Sequence, residues 1–198
     1  MSIDAETRLR NERTLLKSEL PNGFFARPVP IKQNNQLSKT ELDYFTWICG
    51  IPGRSNSLYD GCTLLLYLFF PKDYPKSPPK CQFDPPLFHP NIYPSGSICL
   101  SLINKETWKQ DVSIKSMLVG IQMLLDEPNI SSPAQQEAFQ CLKSNRTLYD
   151  KKVKEFVHKF PTTGFKDRIQ KLVNSGEFRT TIQQAVQINR NNQILDFD

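Results

Sequence analysis

The stretch Phe88 to Leu102, F-H-P-N-I-Y-P-S-G-S-I-C-L-S-L, constrains this chain more than any other, because it can form neither a helix nor the middle of a sheet. Pro90 and Pro94 fix their own φ and lack a backbone donor, and they bias His89 and Tyr93 towards extended geometry. Gly96 permits a tight reversal. The expected result is a held loop that delivers one thiol, Cys99. Asn91 then has a defined place in that loop. Its uncharged amide offers two N–H donors, which suits it to stabilising the oxyanion that forms when a nucleophile attacks a thioester carried on Cys99.

The elements around the loop follow from periodicity and punctuation. Ser2 or Asp4 can cap an opening helix that turns Leu9, Leu16 and Leu20 inward and ends at Pro21-Asn22-Gly23. Phe24 to Pro30 reads as a first strand, the polar stretch Lys32 to Asp43 as a loop, and Tyr44 to Ile51 as a second strand closed by Pro52-Gly53. Cys62 to Phe70 is a third strand. K-D-Y-P-K-S-P-P-K then punctuates before a fourth, Lys80 to Asp84. These four antiparallel strands come in meander order before the cysteine loop. Ser113 can cap a helix in which Ile114, Met117, Leu118, Ile121, Leu124 and Leu125 recur at helical spacing, and Pro128 halts it. Pro133 suits the first turn of a further helix through Ala138 and Leu142, broken near Asn145 and running to Phe160. Strands followed by helices point to the α+β class.

Composition narrows the chemistry. Of five cysteines, none is in a C-x-x-C pair, so neither a disulfide framework nor a zinc site is supported and no metal is expected. Cys49, Cys62 and Cys81 sit in apolar runs as packed thiols, and Cys141 lies on a predicted helix. The net charge of +5 is scattered rather than blocked, so no nucleic acid is expected; a mildly basic soluble face is the plain reading, and attraction to acidic protein partners the more specific one. There is no run of 18 apolar residues and no apolar signal core at the N-terminus, so no membrane association is expected, and the nucleus and cytoplasm are the expected location. No phosphate-binding G-x-x-x-x-G-K-[ST] loop occurs. His89 and His158 are the only candidate bases. A Cys–His dyad therefore has little support, and His89 reads as loop scaffold.

H-P-N with a cysteine eight residues beyond Asn91 resembles the signature of the ubiquitin-conjugating enzyme family. P-P-K-C-Q-F-D-P-P-L-F, Y-P-S-G-S-I-C-L-S-L, W-K-Q-D-V-S-I-K and D-E-P-N-I-S-S-P-A-Q look most like its SUMO-conjugating branch, from about Arg8 to Phe160. The resemblance implies a UBC fold over residues 1–160. Residues 161–198 then form a C-terminal extension of short helices or disordered tail, with apolar patterns around Ile169-Leu172-Val173 and Ile182-Val186. It also implies an acyltransferase that takes SUMO from a heterodimeric activating enzyme onto Cys99 and passes it to substrate lysines, acting as a monomer with protein substrates and ligases. ATP is consumed by the activating enzyme, so no cofactor is expected in this chain.

The same resemblance assigns roles. His89 is structural. Asn91, Tyr93 and Ser132 would orient and desolvate the incoming lysine, although many relatives have Asp at the position of Ser132 and Tyr at that of Phe139. Lys80, Ser95 and Ser97 match the groups that face the acid of a short substrate motif (apolar residue, lysine, any residue, acid). Gln82 stands where a basic residue is common. Pro133, Ala134, Gln135 and Gln136 match the motif's apolar and backbone docking edge, with Phe139 as an apolar wall. Arg8, Arg13 and Lys17 match basic positions that meet the activating enzyme and a second SUMO, while Thr14 and Leu20 replace Lys and His. Trp108 follows Cys99 by nine residues, where ten is usual for SUMO enzymes and eight for many ubiquitin ones. Conjugation of ubiquitin or another ubiquitin-like modifier is therefore the alternative, followed by a non-catalytic UBC-like binding module.

Overall fold

The computed structural model describes residues 4–33 and 36–176. Asp4 opens α1 (Ala5–Glu19), its carboxylate accepting from the Glu6 and Thr7 N–H groups. Strands β1 (Phe25–Gln33), β2 (Gln36–Pro52), β3 (Thr63–Phe69) and β4 (Lys80–Phe83) follow, and form one sheet in the order β1-β2-β3-β4. The expected meander is present. The stretch expected to be a loop at Lys32 to Asp43 is instead largely strand. A strand requires only that its backbone groups pair, and a hairpin ribbon supplies that pairing whatever the polarity of its side chains.

Register places the sheet against the helices. Trp47 lies opposite Leu68 and Cys49 opposite Leu66 in the antiparallel β2–β3 pair, and Leu68 lies opposite Cys81 on β4. Trp47, Ile48, Cys49 and Ile51 are all fully buried, so the centre of β2 is covered on both faces. Cys62 and Cys81 are buried likewise. Helix α2 (Ile114–Asp126), capped by the Ser113 hydroxyl, buries the six predicted apolar side chains. Each contributes about 2 kcal/mol by leaving water. The Gln122 Nε2 donates 2.7 Å to the Pro52 carbonyl and ties α2 to the end of β2.

Pro133 does not start a helix. The Ala134 and Gln135 N–H groups donate to the Pro90 carbonyl at 2.7 and 3.0 Å, and α3 (Gln136–Ser144) begins only after them. Asn145 ends α3 and caps α4 (Arg146–Val157), accepting from the Leu148 N–H at 3.0 Å, so the expected break is there.

The chain divides into two compact units, one of Met1–Val29 with Asp43–Thr163 and one of Pro30–Leu42 with Gly164–Asp198. In the second, α5 (Phe165–Ser175) is bounded by Gly164 and Gly176, both left-handed, and buries Phe165, Ile169 and Val173 along one face. The pattern at Ile182-Val186 lies outside the described residues. No helix among the described residues is long and apolar enough to cross a membrane.

Glu12 was not singled out from the sequence, yet it is only 3% exposed. One carboxylate oxygen takes both the Nε and Nη2 of Arg8, at 3.0 and 2.8 Å, and the other accepts the Ile114 N–H at the start of α2, at 3.1 Å. A buried carboxylate at a helix N-terminus answers a donor that the helix cannot satisfy itself. Glu12→Ala should destabilise the protein by about 2 kcal/mol in urea unfolding, and Glu12→Gln, which keeps an acceptor, by roughly 1 kcal/mol.

Candidate active site

The cysteine loop folds back on itself and then onto the sheet edge. The Ile92 N–H donates to the His89 carbonyl, and the Gly96 N–H to the Tyr93 carbonyl at 2.8 Å. Tyr93 N–H to Ser97 carbonyl and Cys99 N–H to Asn91 carbonyl, both 2.9 Å, pair the two arms. Gly96 is at φ 85°, and a Cβ there would lie 2.3 Å from the Phe83 carbonyl oxygen, so the reversal and its closeness to β4 both require glycine. The Phe83 N–H donates to the Gly96 carbonyl and the Ile98 N–H to that of Cys81, which fastens the second arm to β4.

Cys99 is half-exposed on this frame. Its Sγ lies 3.9 Å from the Ser132 hydroxyl, and the exposed Tyr93 phenol is near enough to the thiol to interact with it electrostatically. Burial and the neighbouring Cys99 raise the Tyr93 pKa, which keeps the phenol protonated as a donor. The Trp108 indole N–H donates 2.7 Å to the Pro75 carbonyl. Among the described residues no carboxylate or imidazole contacts the thiol, and no group of three His, Cys, Asp or Glu could hold a metal. Such a sulfur can hold an acyl group beside the Ser132 hydroxyl.

Asn91 is placed differently from the sequence expectation of a donor aimed at the sulfur. It is fully buried, and both N–H groups are committed, to the Asn129 carbonyl at 2.7 Å and the Ser132 carbonyl at 3.0 Å. Its Oδ1 accepts the Asn129 N–H at 2.8 Å. The amide is thus a latch that brings the 129–132 segment, and with it the Ser132 hydroxyl, to Cys99. Neutral amide chemistry is what a latch onto two carbonyls and one N–H needs.

His89 is buried scaffold. Its Nδ1 accepts the Asn91 N–H at 3.1 Å, which fixes the other nitrogen as the protonated one, facing the backbone of Leu124 and Leu125. His158 is exposed at the end of α4.

The residues expected to face substrate, Lys80, Ser95, Ser97, Pro133, Ala134, Gln135 and Gln136, all reach the surface, fully or in part. The Ser95 and Ser97 hydroxyls lie 3.1 Å apart. The Ala134 and Gln135 N–H groups are taken by the Pro90 carbonyl, and the Gln135 Nε2 donates to the Leu87 and Ile92 carbonyls at 3.2 Å each. Gln135 and Asn129 therefore hold the site together, a role hidden in the sequence except as the Asn- and Pro-rich run after α2. Phe139 is half-buried, with the Lys143 ammonium 5.9 Å from its ring. On α1, Arg8 is taken by Glu12, Arg13 donates 3.1 Å to the Tyr44 hydroxyl, and Lys17 is exposed. Arg10 also lies over the Tyr44 ring, at 4.3 Å.

Burial pulls the His89 pKa from 6.5 down to about 4. The unfolded chain gains that proton below about pH 6.5 and the folded protein only near pH 4, so stability falls as pH drops through this window, by on the order of 3 kcal/mol. In His89→Asn, whose side-chain oxygen can still accept from the Asn91 N–H, urea unfolding at several pH values across the window should show a shallower decline. An unchanged decline would mean that the imidazole is not held neutral.

A family profile described as ubiquitin-conjugating enzyme matches residues 8–157. The chain is 45% identical over 161 residues to the SUMO-conjugating enzyme UBC9 of Caenorhabditis elegans, covering 81% of this chain and 93% of that protein. It is also 45% identical over 151 residues to the SUMO-conjugating enzyme ubc9 of Dictyostelium discoideum, covering 76% and 91%. With a helix, a four-stranded meander and further helices framing one half-exposed cysteine, the chain belongs to the ubiquitin-conjugating enzyme family.

Proposed function

We propose that this chain is a SUMO-conjugating enzyme that carries the modifier as a thioester on Cys99 and transfers it to substrate lysines. The observation that carries the reading is the half-exposed sulfur in a hydrogen-bonded loop, 3.9 Å from the Ser132 hydroxyl and near the Tyr93 phenol, in a chain whose similar relatives bear that name over nearly their whole length. In the first step the Cys99 thiolate attacks the acyl carbon held by the activating enzyme, whose own thiol leaves. In the second, a deprotonated lysine amine attacks the Cys99 thioester, the C–S bond breaks, and an isopeptide bond forms. A lysine is almost wholly protonated at neutral pH, so partial burial between Tyr93, Ser132 and Phe139 would favour the free amine by desolvation. Ser132 cannot hold an ammonium as a carboxylate would, and the apolar Phe139 wall acts in the same direction.

Asn91 would act in two ways. As a latch it places Ser132; as an oxyanion donor it must exchange one of its bonds, to the Asn129 or the Ser132 carbonyl, for the tetrahedral oxygen. The exposed Lys17, with Arg10 and Arg13 around Tyr44, would meet acidic surfaces of the activating enzyme or of a second modifier. The enzyme would act as a monomer without metal or organic cofactor in the nucleus and cytoplasm, with residues 1–160 as the catalytic domain and 161–198 as an extension.

Charging with SUMO and its activating enzyme should give a reductant-sensitive adduct, which Cys99→Ser converts to a reductant-stable ester. Charging with ubiquitin and its own activating enzyme, and not with SUMO, would overturn the choice of modifier. Charging with neither would favour a binding module. Asn91→Ala should still charge but transfer to lysine roughly a hundredfold more slowly; unchanged transfer would remove Asn91 from the chemistry.

A further inference from the structure

Beyond β4 the chain leaves the sheet through Asp84-Pro85-Pro86, since two prolines cannot continue a ladder. An open apolar slot lies there, lined by buried Leu87, half-buried Leu65, Phe156 and Phe160, exposed Pro85 and half-buried Asp84. None of these residues belongs to the cysteine loop. Two of them are fixed from β3: the Asp84 N–H donates to the Leu65 carbonyl at 3.1 Å, and the Phe160 carbonyl accepts the Thr63 N–H at 3.3 Å. The Phe156 and Phe160 rings lie 4.8 Å apart, centroid to centroid. The slot is thus part of the folded frame, and an occupant would not have to order it.

Asp84 is the one charged residue of this lining. It is in no ion pair among the described residues, and burial alone pushes its pKa up, so no neighbouring cation supports the carboxylate. A half-buried charge without a partner is costly, and a cation arriving at the slot removes that cost. Apolar walls beside a carboxylate suit a guanidinium better than an ammonium. The arginine stem and its weakly hydrated plane can lie along phenylalanine and proline surfaces, whereas an ammonium holds its water. In an extended segment, residues two apart point to the same side, so one such segment can fill the slot and reach the carboxylate together.

We propose that this slot docks an extended segment of a partner protein, with an aliphatic side chain among Leu65, Phe156 and Phe160 and an arginine two residues away on the Asp84 carboxylate. The docking does not depend on which modifier loads Cys99. With a net charge of +5 the molecule as a whole attracts acidic peptides, so a preference for a basic one has to come from this carboxylate.

The test is a titration of the full chain, followed through its amide NMR shifts, with the peptide acetyl-Arg-Ala-Leu-Ala-Arg-amide, which offers the pair in both orders. Saturable shifts are expected at Leu65, Asp84, Phe156 and Phe160. Replacing both arginines of the peptide by glutamine should weaken binding about threefold to fivefold, and replacing its leucine by serine about tenfold. Asp84→Asn should erase the preference for the arginine peptide, and Asp84→Lys should turn it into a preference for glutamates at the same two positions. The proposal is overturned if the arginine peptide gives no saturable shift, if the shifts centre away from these residues, if the glutamine peptide binds equally well, or if Asp84→Asn keeps the preference. A dispersed amide spectrum shows that each variant is folded, and the glutamine peptide decides the same point on the unaltered chain.

Discussion

Three hydrogen bonds from one buried amide hold the reactive end of this molecule together. Asn91 joins the cysteine loop to the segment after α2 through the Asn129 N–H and the Asn129 and Ser132 carbonyls, at 2.7 to 3.0 Å. Both segments are irregular backbone, with polar groups that no helix or strand ladder satisfies, so a buried side chain able to donate twice and accept once is the economical solution. Without it Ser132 has no reason to be near Cys99, and the sulfur would stand on an edge rather than in a site.

The latch works because its two anchors are themselves fixed. On one side, Gly96 lets the loop approach the Phe83 carbonyl and Gln82 fastens its turn, so Cys99 inherits the rigidity of a sheet buried on both faces. On the other, Pro90 takes the N–H groups of Ala134 and Gln135, and the Gln135 side chain reaches back to Leu87 and Ile92. Glu12 orders the start of α2 from a third direction. The hydroxyls at the sulfur are therefore positioned by backbone contacts several residues away, which is how a site without a strong base can still be preorganised.

Much of this was legible in the chain. Prolines, glycines and helix caps act locally, so the held loop, the Asp4 and Ser113 caps and the Asn145 break could be read without knowing the fold. The apolar spacing of α2 and the buried cysteines follow from periods of side chains facing one core. The stretch from Lys32 to Asp43 could not be read the same way, because a polar ribbon is made by its partner strand rather than by its own residues. Pro133 failed as a helix signal because the donors after it had a nearby acceptor, the Pro90 carbonyl, that no local rule includes.

The residue types around Cys99 already pointed to the chemistry open to this protein: one thiol in a rigid loop with hydroxyl and amide neighbours. The tertiary structure alone decided which neighbour does what. Asn91 and Gln135 became clamps, Arg8 was taken by Glu12, and Gln82 was tied to the Ser95 carbonyl. The reason is that hydrogen-bonding capacity is a property of the side chain, whereas its use depends on which unpaired backbone group the fold brings within about 3 Å.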